Sequence, residues 1–200
     1  VTGVQTCALP ISLPLIATQI GQIAIFATDV LMMGWLGPSA LAAGALGSNV
    51  FFIPWVFGLG LVMATAPMMA QAIGRKRHMV RDVRRSLRQG LWMAVVVGVP
   101  GTFVVWHADL ILLRLGQDPA NVALAREFAR PLAWGMVPSL AFMALRQFVA
   151  AVERPNIALV VQFATLAINA TLDYALMFGK LGAPELGIAG AGVASTIANG

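Results

Sequence analysis

Charge is scarce in this chain. Asp, Glu, Lys and Arg make up 10% of its 200 residues, against about 25% in ordinary globular domains, and so low a share excludes a soluble core with a solvated surface. Cysteine is scarcer still. Cys7 stands alone, which rules out an intrachain disulfide framework and a cysteine-based metal cluster. The opening VTGVQTCALPI lacks the basic start of a signal peptide and resembles translated sequencing-adapter read-through, so residues 1–10 are set aside as non-native and Cys7 as inert or foreign. The chain carries no independent nucleophile or substrate-binding motif. Residues 186–200 have only begun an apolar helix when the sequence stops, and a truncated piece of a longer protein is expected.

Apolar residues take the place of the missing charge, at 59% of the chain with a mean hydropathy of +0.83. Windows of about 20 residues, the length that crosses hydrocarbon, place five spans and the start of a sixth. They lie near Ile11–Leu36, Ala40–Ile73, Leu87–Trp106, Ala123–Val149, Ile157–Phe178 and from Leu186 onward. The fold class is therefore an all-α polytopic membrane bundle. The second span exceeds what a bilayer requires and is expected to tilt, protrude or bend near Pro54 and Pro67. Asp118 before Pro119 reads as a helix N-cap followed by proline at the first helical position.

The net charge of +5 invites a nucleic-acid reading, but seven of the thirteen basic residues crowd between Arg75 and Arg88. Lys and Arg concentrate in this way on the cytoplasmic side of a membrane, whereas the loop near Pro38 is uncharged. Counting outward places the N-terminus and the Arg146–Arg154 connection inside. Arg114 and Lys180 then lie near the outer surface, with Trp35 and Trp106 at the outer interface.

Two acids interrupt the apolar spans. Asp29 lies in the first and Asp173 in the fifth, and an ionised Asp at the centre of a membrane helix costs about 2.5–3.5 kcal/mol on insertion scales. At 1.5 Å per residue, Asp29 sits about 11 Å below the outer end of its helix and Asp173 about 8 Å below Gly179. Asn169, four residues before Asp173, projects from the same helix face. Two carboxylates and an amide in one dehydrated cavity make a cation site, and their mutual repulsion would allow proton exchange near neutral pH. The competing reading makes Asp29 a polar packing contact and lets Asp173 snorkel to the outer surface.

Other features divide the same way. His107, beside Trp106 and Asp109, reads as an interfacial residue rather than a proton relay. The ten methionines suit an adaptable binding surface or plain helix packing. Pro14, on the cytoplasmic side of Asp29, would let its half-helix swing, although prolines are also tolerated in membrane helices without such a role. Gly192, Thr196 and Gly200 form a small-residue ridge for close helix contact.

Four stretches carry a family likeness: TDVLMMGWLGPSALAA, APMMAQAIG, LRQFVAAVERPN and NATLDYALMFGKLGAPELGIAGAGVAS. In order and spacing they resemble the bacterial branch of the multidrug and toxic compound extrusion family, over about residues 11–200. The resemblance implies the N-terminal lobe of a twelve-helix exporter, truncated in helix 6. It further implies an N-lobe cation site at Asp29, Asn169 and Asp173, with sodium or a proton as coupling ion and no other cofactor. Pro14 matches the proline at which the first helix bends in some members. Ser195 matches a hydroxyl of the sixth helix, and its neighbour Thr196 is a substitute. Ile25 and Met143 stand where some relatives carry polar cavity residues, a departure from the drug-contact pattern.

The resemblance thus implies an antiporter, not an enzyme, in a bacterial cytoplasmic membrane with its N-terminus inside. It would export cationic or amphiphilic compounds, its partners being those substrates, the lipid bilayer and the missing C-terminal lobe, with no nucleic acid. A lipid-linked oligosaccharide flippase of related fold is the alternative, for which a more cationic central cavity is expected. An intramembrane enzyme using the aspartates as a dyad and a purely structural membrane subunit belong to other classes.

Overall fold

The computed structural model describes residues 2–74, 79–151, 155–180 and 185–199, with side chains at 16–74, 79–151, 159–180 and 185–198. Among these residues the chain forms nine helices: α1 Thr2–Leu36, α2 Pro38–Met63, α3 Thr65–Gly74, α4 Met79–Trp106, α5 Ala108–Arg114, α6 Pro119–Trp134, α7 Met136–Ala151, α8 Pro155–Phe178 and α9 Ile188–Asn199. Four spans are long and apolar enough to cross a membrane, a fifth is the bent pair α6–α7, and α9 is a shorter apolar helix. These are the five spans and partial sixth expected from hydropathy. The backbone of α1 starts at Thr2, upstream of the expected Ile11, and is helical without a break past Pro14. The side chain of Pro14 lies outside the described residues.

Turn chemistry explains where the helices end. Gly37 has φ +121°, a conformation side chains resist, and Pro38 follows at the start of α2. At the end of α8, Gly179 takes φ +62° while the Lys180 amide donates to the Ala175 carbonyl at 3.1 Å. This left-handed glycine and its long backbone bond satisfy carbonyls that the helix end leaves open. Asp118 caps α6 as expected, accepting from the Ala120 amide at 3.0 Å with Pro119 at the first position.

The prolines act unequally. Pro54 and Pro100 sit inside unbroken helices, so the second span is not interrupted at Pro54. Pro67 coincides with the α2–α3 break, because α2 stops at Met63, the residue whose carbonyl a proline four positions later would strike. Pro138 repeats the arrangement. Its i−4 residue is Trp134, where α6 ends, and α7 leaves Gly135 at a 47° bend. The expected apolar span Ala123–Val149 is thus one span made of two helices.

Breaking a membrane helix strands carbonyls at its last turn, and hydrocarbon offers them no water. Neighbouring helices supply the donors. Thr102 Oγ1 of α4 shares its proton between the Gly98 carbonyl of its own helix at 2.8 Å and the Ala133 carbonyl at 3.1 Å, and Thr196 Oγ1 of α9 shares its own between Gly192 at 2.8 Å and Pro131 at 2.9 Å. The helices approach closely because the residues between them are small, with Ala43, Ala125, Ala129, Ala133 and Ala191 fully buried in the main core. A Cβ added at Gly192 would lie 2.5 Å from the Phe128 carbonyl oxygen. The ridge expected at Gly192 and Thr196 therefore faces α6, while Gly200 lies outside the described residues.

Trp35 meets Phe178 with ring centroids 6.3 Å apart, and Trp106 meets Trp134 at 6.0 Å. The first pair joins the C-terminal ends of α1 and α8, which run side by side in the same direction. Arg81, Arg84, Arg85 and Arg88 of the basic segment are exposed on the first turns of α4. Residues 75–78 lie outside the described part. His107 links α4 to α5, its Nδ1 bonded to the Phe103 carbonyl at 2.9 Å and its ring against Phe103. That local pairing leaves its Nδ1 no part in a relay.

Candidate functional site

α1 and α8 meet through Gly21, where an added Cβ would stand 2.8 Å from Gln162 Cγ. Farther along the same contact, Asp29 of α1 comes beside Asn169 and Asp173 of α8. Their four-residue spacing puts the amide and the acid on one face of α8, and both are wholly buried. Asp173 therefore does not snorkel to the surface. α9 completes the group, with Ser195 Oγ donating to Asp29 Oδ2 at 3.2 Å.

These residues touch without satisfying one another. Among the described residues, no hydrogen bond of ordinary geometry reaches Asp29 Oδ1, either carboxyl oxygen of Asp173 or either polar atom of the Asn169 amide. Buried polar atoms normally find partners, and two adjoining carboxylates in an apolar lobe need a proton or a cation between them. The donor set is two carboxylates, an amide and a hydroxyl. Hard oxygen donors of this kind suit a proton or a hard cation and not a soft transition metal. Among the described residues, no cluster of three or more His, Cys, Asp or Glu is placed to hold a metal ion.

Thr196 does not join the group. Its hydroxyl is spent on the Pro131 and Gly192 carbonyls, at 2.9 and 2.8 Å, so adjacent residues of α9 do different work. Ser195 faces the acids and Thr196 faces the break in the fourth span.

Asp29 and Ser195 also line a cavity of about 360 Å³ whose largely apolar wall includes the aromatics Phe26, Phe51, Phe52, Trp55, Phe128 and Phe142. Ile25 and Met143 are in the same wall, so the two apolar departures noted in the sequence do face the cavity. Gln22, Ser48 and Ser139 provide polar spots. A mainly apolar chamber with a few polar groups suits an amphiphile. Sequence reasoning missed these aromatics because they come from α1, α2, α6 and α7, and no local spacing unites them. It also missed Arg146 of α7, whose guanidinium reaches Gln19, Thr18 and Gln22 of α1. Three polar side chains within one and a half turns of an apolar span were the available signal.

Comparison with known proteins agrees with this layout. The chain is 47% identical over 191 residues to the "Probable multidrug resistance protein NorM" of Mesorhizobium japonicum, covering 96% of this chain and 41% of that protein. The protein of the same name from Bradyrhizobium diazoefficiens is 44% identical, with the same coverage. A solved structure described as "MATE in the straight conformation" superposes with a TM-score of 0.81 at 24% identity, over 96% of this chain and 41% of that one. The chain thus spans about two fifths of the length of the relatives it matches and corresponds to the N-terminal part of the fold. The family profile MatE runs over residues 14–175, from the inner part of α1 through Asn169 and Asp173, and the chain is a member of the MatE (multidrug and toxic compound extrusion) family.

Proposed function

We propose that this chain is the N-terminal lobe of an antiporter that expels cationic or amphiphilic compounds in exchange for protons or sodium. The observation that carries the reading is the unsatisfied set Asp29, Asn169 and Asp173, buried in an apolar lobe and opening through Asp29 onto the aromatic cavity. The names of the relatives, multidrug resistance proteins, agree with it.

In this reading Asp29 and Asp173 hold the coupling cation, Asn169 adds an oxygen ligand, and Ser195 orients Asp29 through its hydroxyl bond. The aromatic cavity holds part of the exported compound. Asp29 belongs to both places, so occupancy of one alters the electrostatics of the other. Antiport requires that difference, because an ion that binds both conformations equally moves nothing. Ion entry from outside neutralises the pair and favours the helix arrangement with lower affinity for the exported compound. Loss of the ion to the cytoplasm restores the charge. Pro14 is the proposed bend in α1 on the cytoplasmic side of Asp29. The basic segment, with Arg81 to Arg88 on α4, lies in the cytoplasm under this topology.

The test is Asp29→Asn in the full-length transporter, which keeps side-chain size and removes the titratable charge. Efflux driven by an imposed proton or sodium gradient is expected to be lost while equilibrium binding of the amphiphile persists, held by the apolar wall. Unchanged gradient-driven efflux at normal expression would overturn the coupling role.

A further inference from the structure

Arg146 is a charged side chain that the coupling scheme leaves unused. It is half-buried in the lower half of the bent span, on α7. Its terminal nitrogens donate to Gln19 Oε1 at 2.7 Å, Thr18 Oγ1 at 3.2 Å and Gln22 Oε1 at 3.5 Å. All three acceptors are neutral and all three belong to α1. Among the described residues no carboxylate pairs with Arg146; the ion pair found there, between Arg126 and Asp109, is at the other end of the bundle. Neutral oxygens fix a guanidinium in place without neutralising it, and among the described residues this half-buried charge near the end of its span has no carboxylate partner.

The position of Arg146 suggests a role for that charge. It lines a cavity of about 230 Å³, which shares Gln22, Trp55 and Met143 with the cavity holding Asp29 and Ser195. The two cavities are neighbours across these shared walls, with Asp29 lining one and the guanidinium the other. Along α1, Gln22 stands about 10 Å from Asp29. An anion-binding role fits less well, since both terminal nitrogens already face α1.

We propose that Arg146 is an electrostatic plug, a fixed positive charge that, while no exported compound is being exchanged, keeps the coupling cation at the acids from leaking through the lobe's cavities to the basic, cytoplasmic end. The proposal rests on the coupling role of Asp29 and Asp173 stated above. A cavity wide enough for water conducts ions unless a field opposes them, and one uncompensated arginine in a narrow path repels cations and protons alike. An exchanger without such a barrier would dissipate the gradient that drives it.

The experiment uses the full-length transporter in liposomes under a sodium or proton gradient with no exported compound present, and the readout is the rate of ion entry. Arg146→Gln keeps an amide donor toward α1 and removes the charge. Gln19→Glu leaves Arg146 in place and gives it a counter-charge at the 2.7 Å position. Both variants are expected to leak about tenfold faster than the parent, equivalent to a barrier lowered by about 1.4 kcal/mol. Arg146→Lys is expected to stay within about twofold. Liposomes bearing both neutralising variants that remain as tight as the parent, with amphiphile binding intact, would overturn the plug. The coupling reading is judged separately, by whether the parent exchanges ions when the exported compound is added.

Discussion

Replacing Gly192 by alanine tests the contact that places the hydroxyl of the proposed cation site. The added Cβ would stand 2.5 Å from the Phe128 carbonyl oxygen, with Pro131 Cβ at 3.3 Å and the Leu132 nitrogen at 3.5 Å. The nearest atom is backbone and no rotamer change relieves it, so α9 must retreat from α6 by about 0.9 Å to restore an ordinary contact. Overpacking of this sort costs about 1–3 kcal/mol, against a helix-propensity gain of about 1 kcal/mol for any exposed Gly→Ala change. Gly60→Ala separates the two effects, because a Cβ on that residue of α2 meets nothing within 4 Å. The difference between the variants is the steric cost alone, which for a transporter about two and a half times as long as this chain corresponds to about 1–3 °C in apparent melting temperature. The assay is thermal unfolding of the purified full-length transporter followed by tryptophan fluorescence. A second readout comes from Ser195, three residues along α9 and 3.2 Å from Asp29. A shift of that size changes the geometry of this bond, so gradient-driven efflux is expected to change together with stability. A Gly192→Ala protein that melts no lower than Gly60→Ala would refute the reasoning.

The pair at 195 and 196 gives a sharper contrast. Thr196→Val removes the donor to the Pro131 carbonyl and is expected to cost about 0.6–1.7 kcal/mol with little effect on ion-driven efflux; Ser195→Ala should do the reverse, and matching effects in both assays would dissolve the division of labour. Cysteines at 29 and 173 in the full-length protein are expected to be joined by a short crosslinker. No crosslink in any conformational state would assign the two acids to separate sites. A topology reporter fused within residues 75–88 is expected to stay cytoplasmic while one at Pro38 is exported, and reversed labelling would invert the orientation. This chain by itself, inserted in liposomes, should export nothing, so ion-dependent dye efflux from such vesicles would contradict the need for a second lobe.

The spans were legible because membrane thickness sets a length that apolar windows measure directly. The acids stood out for the same physical reason, since carboxylates are rare where hydrocarbon surrounds them. The spacing of Asn169 and Asp173 was enough to place both on one helix face, but their approach to Asp29 needed the packing of α1 on α8. Proline alone did not show where helices break. Pro54 and Pro100 are carried within helices while Pro67 and Pro138 coincide with breaks, and at the fourth span Thr102 and Thr196 are in place to take over the freed carbonyls. That depends on residues 31 and 65 positions away. The link from Arg146 to α1 spans 124–128 positions, a separation that no periodicity reports.

The elbow at Gly135 also has a history in time. Its Ala133 carbonyl is served by Thr102, which is synthesised first, so this half of the break has its donor as soon as the fourth span enters the bilayer beside α4. The Pro131 carbonyl is served by Thr196, which emerges 65 residues later. At the usual pace of translation that is a delay of roughly 3–13 s, during which this polar group lies at a bend with its final donor not yet made. The fourth span is thus assembled in two stages, and the arrival of α9 completes it in the same event that brings Ser195 to Asp29. The proposed cation site and the elbow mature together.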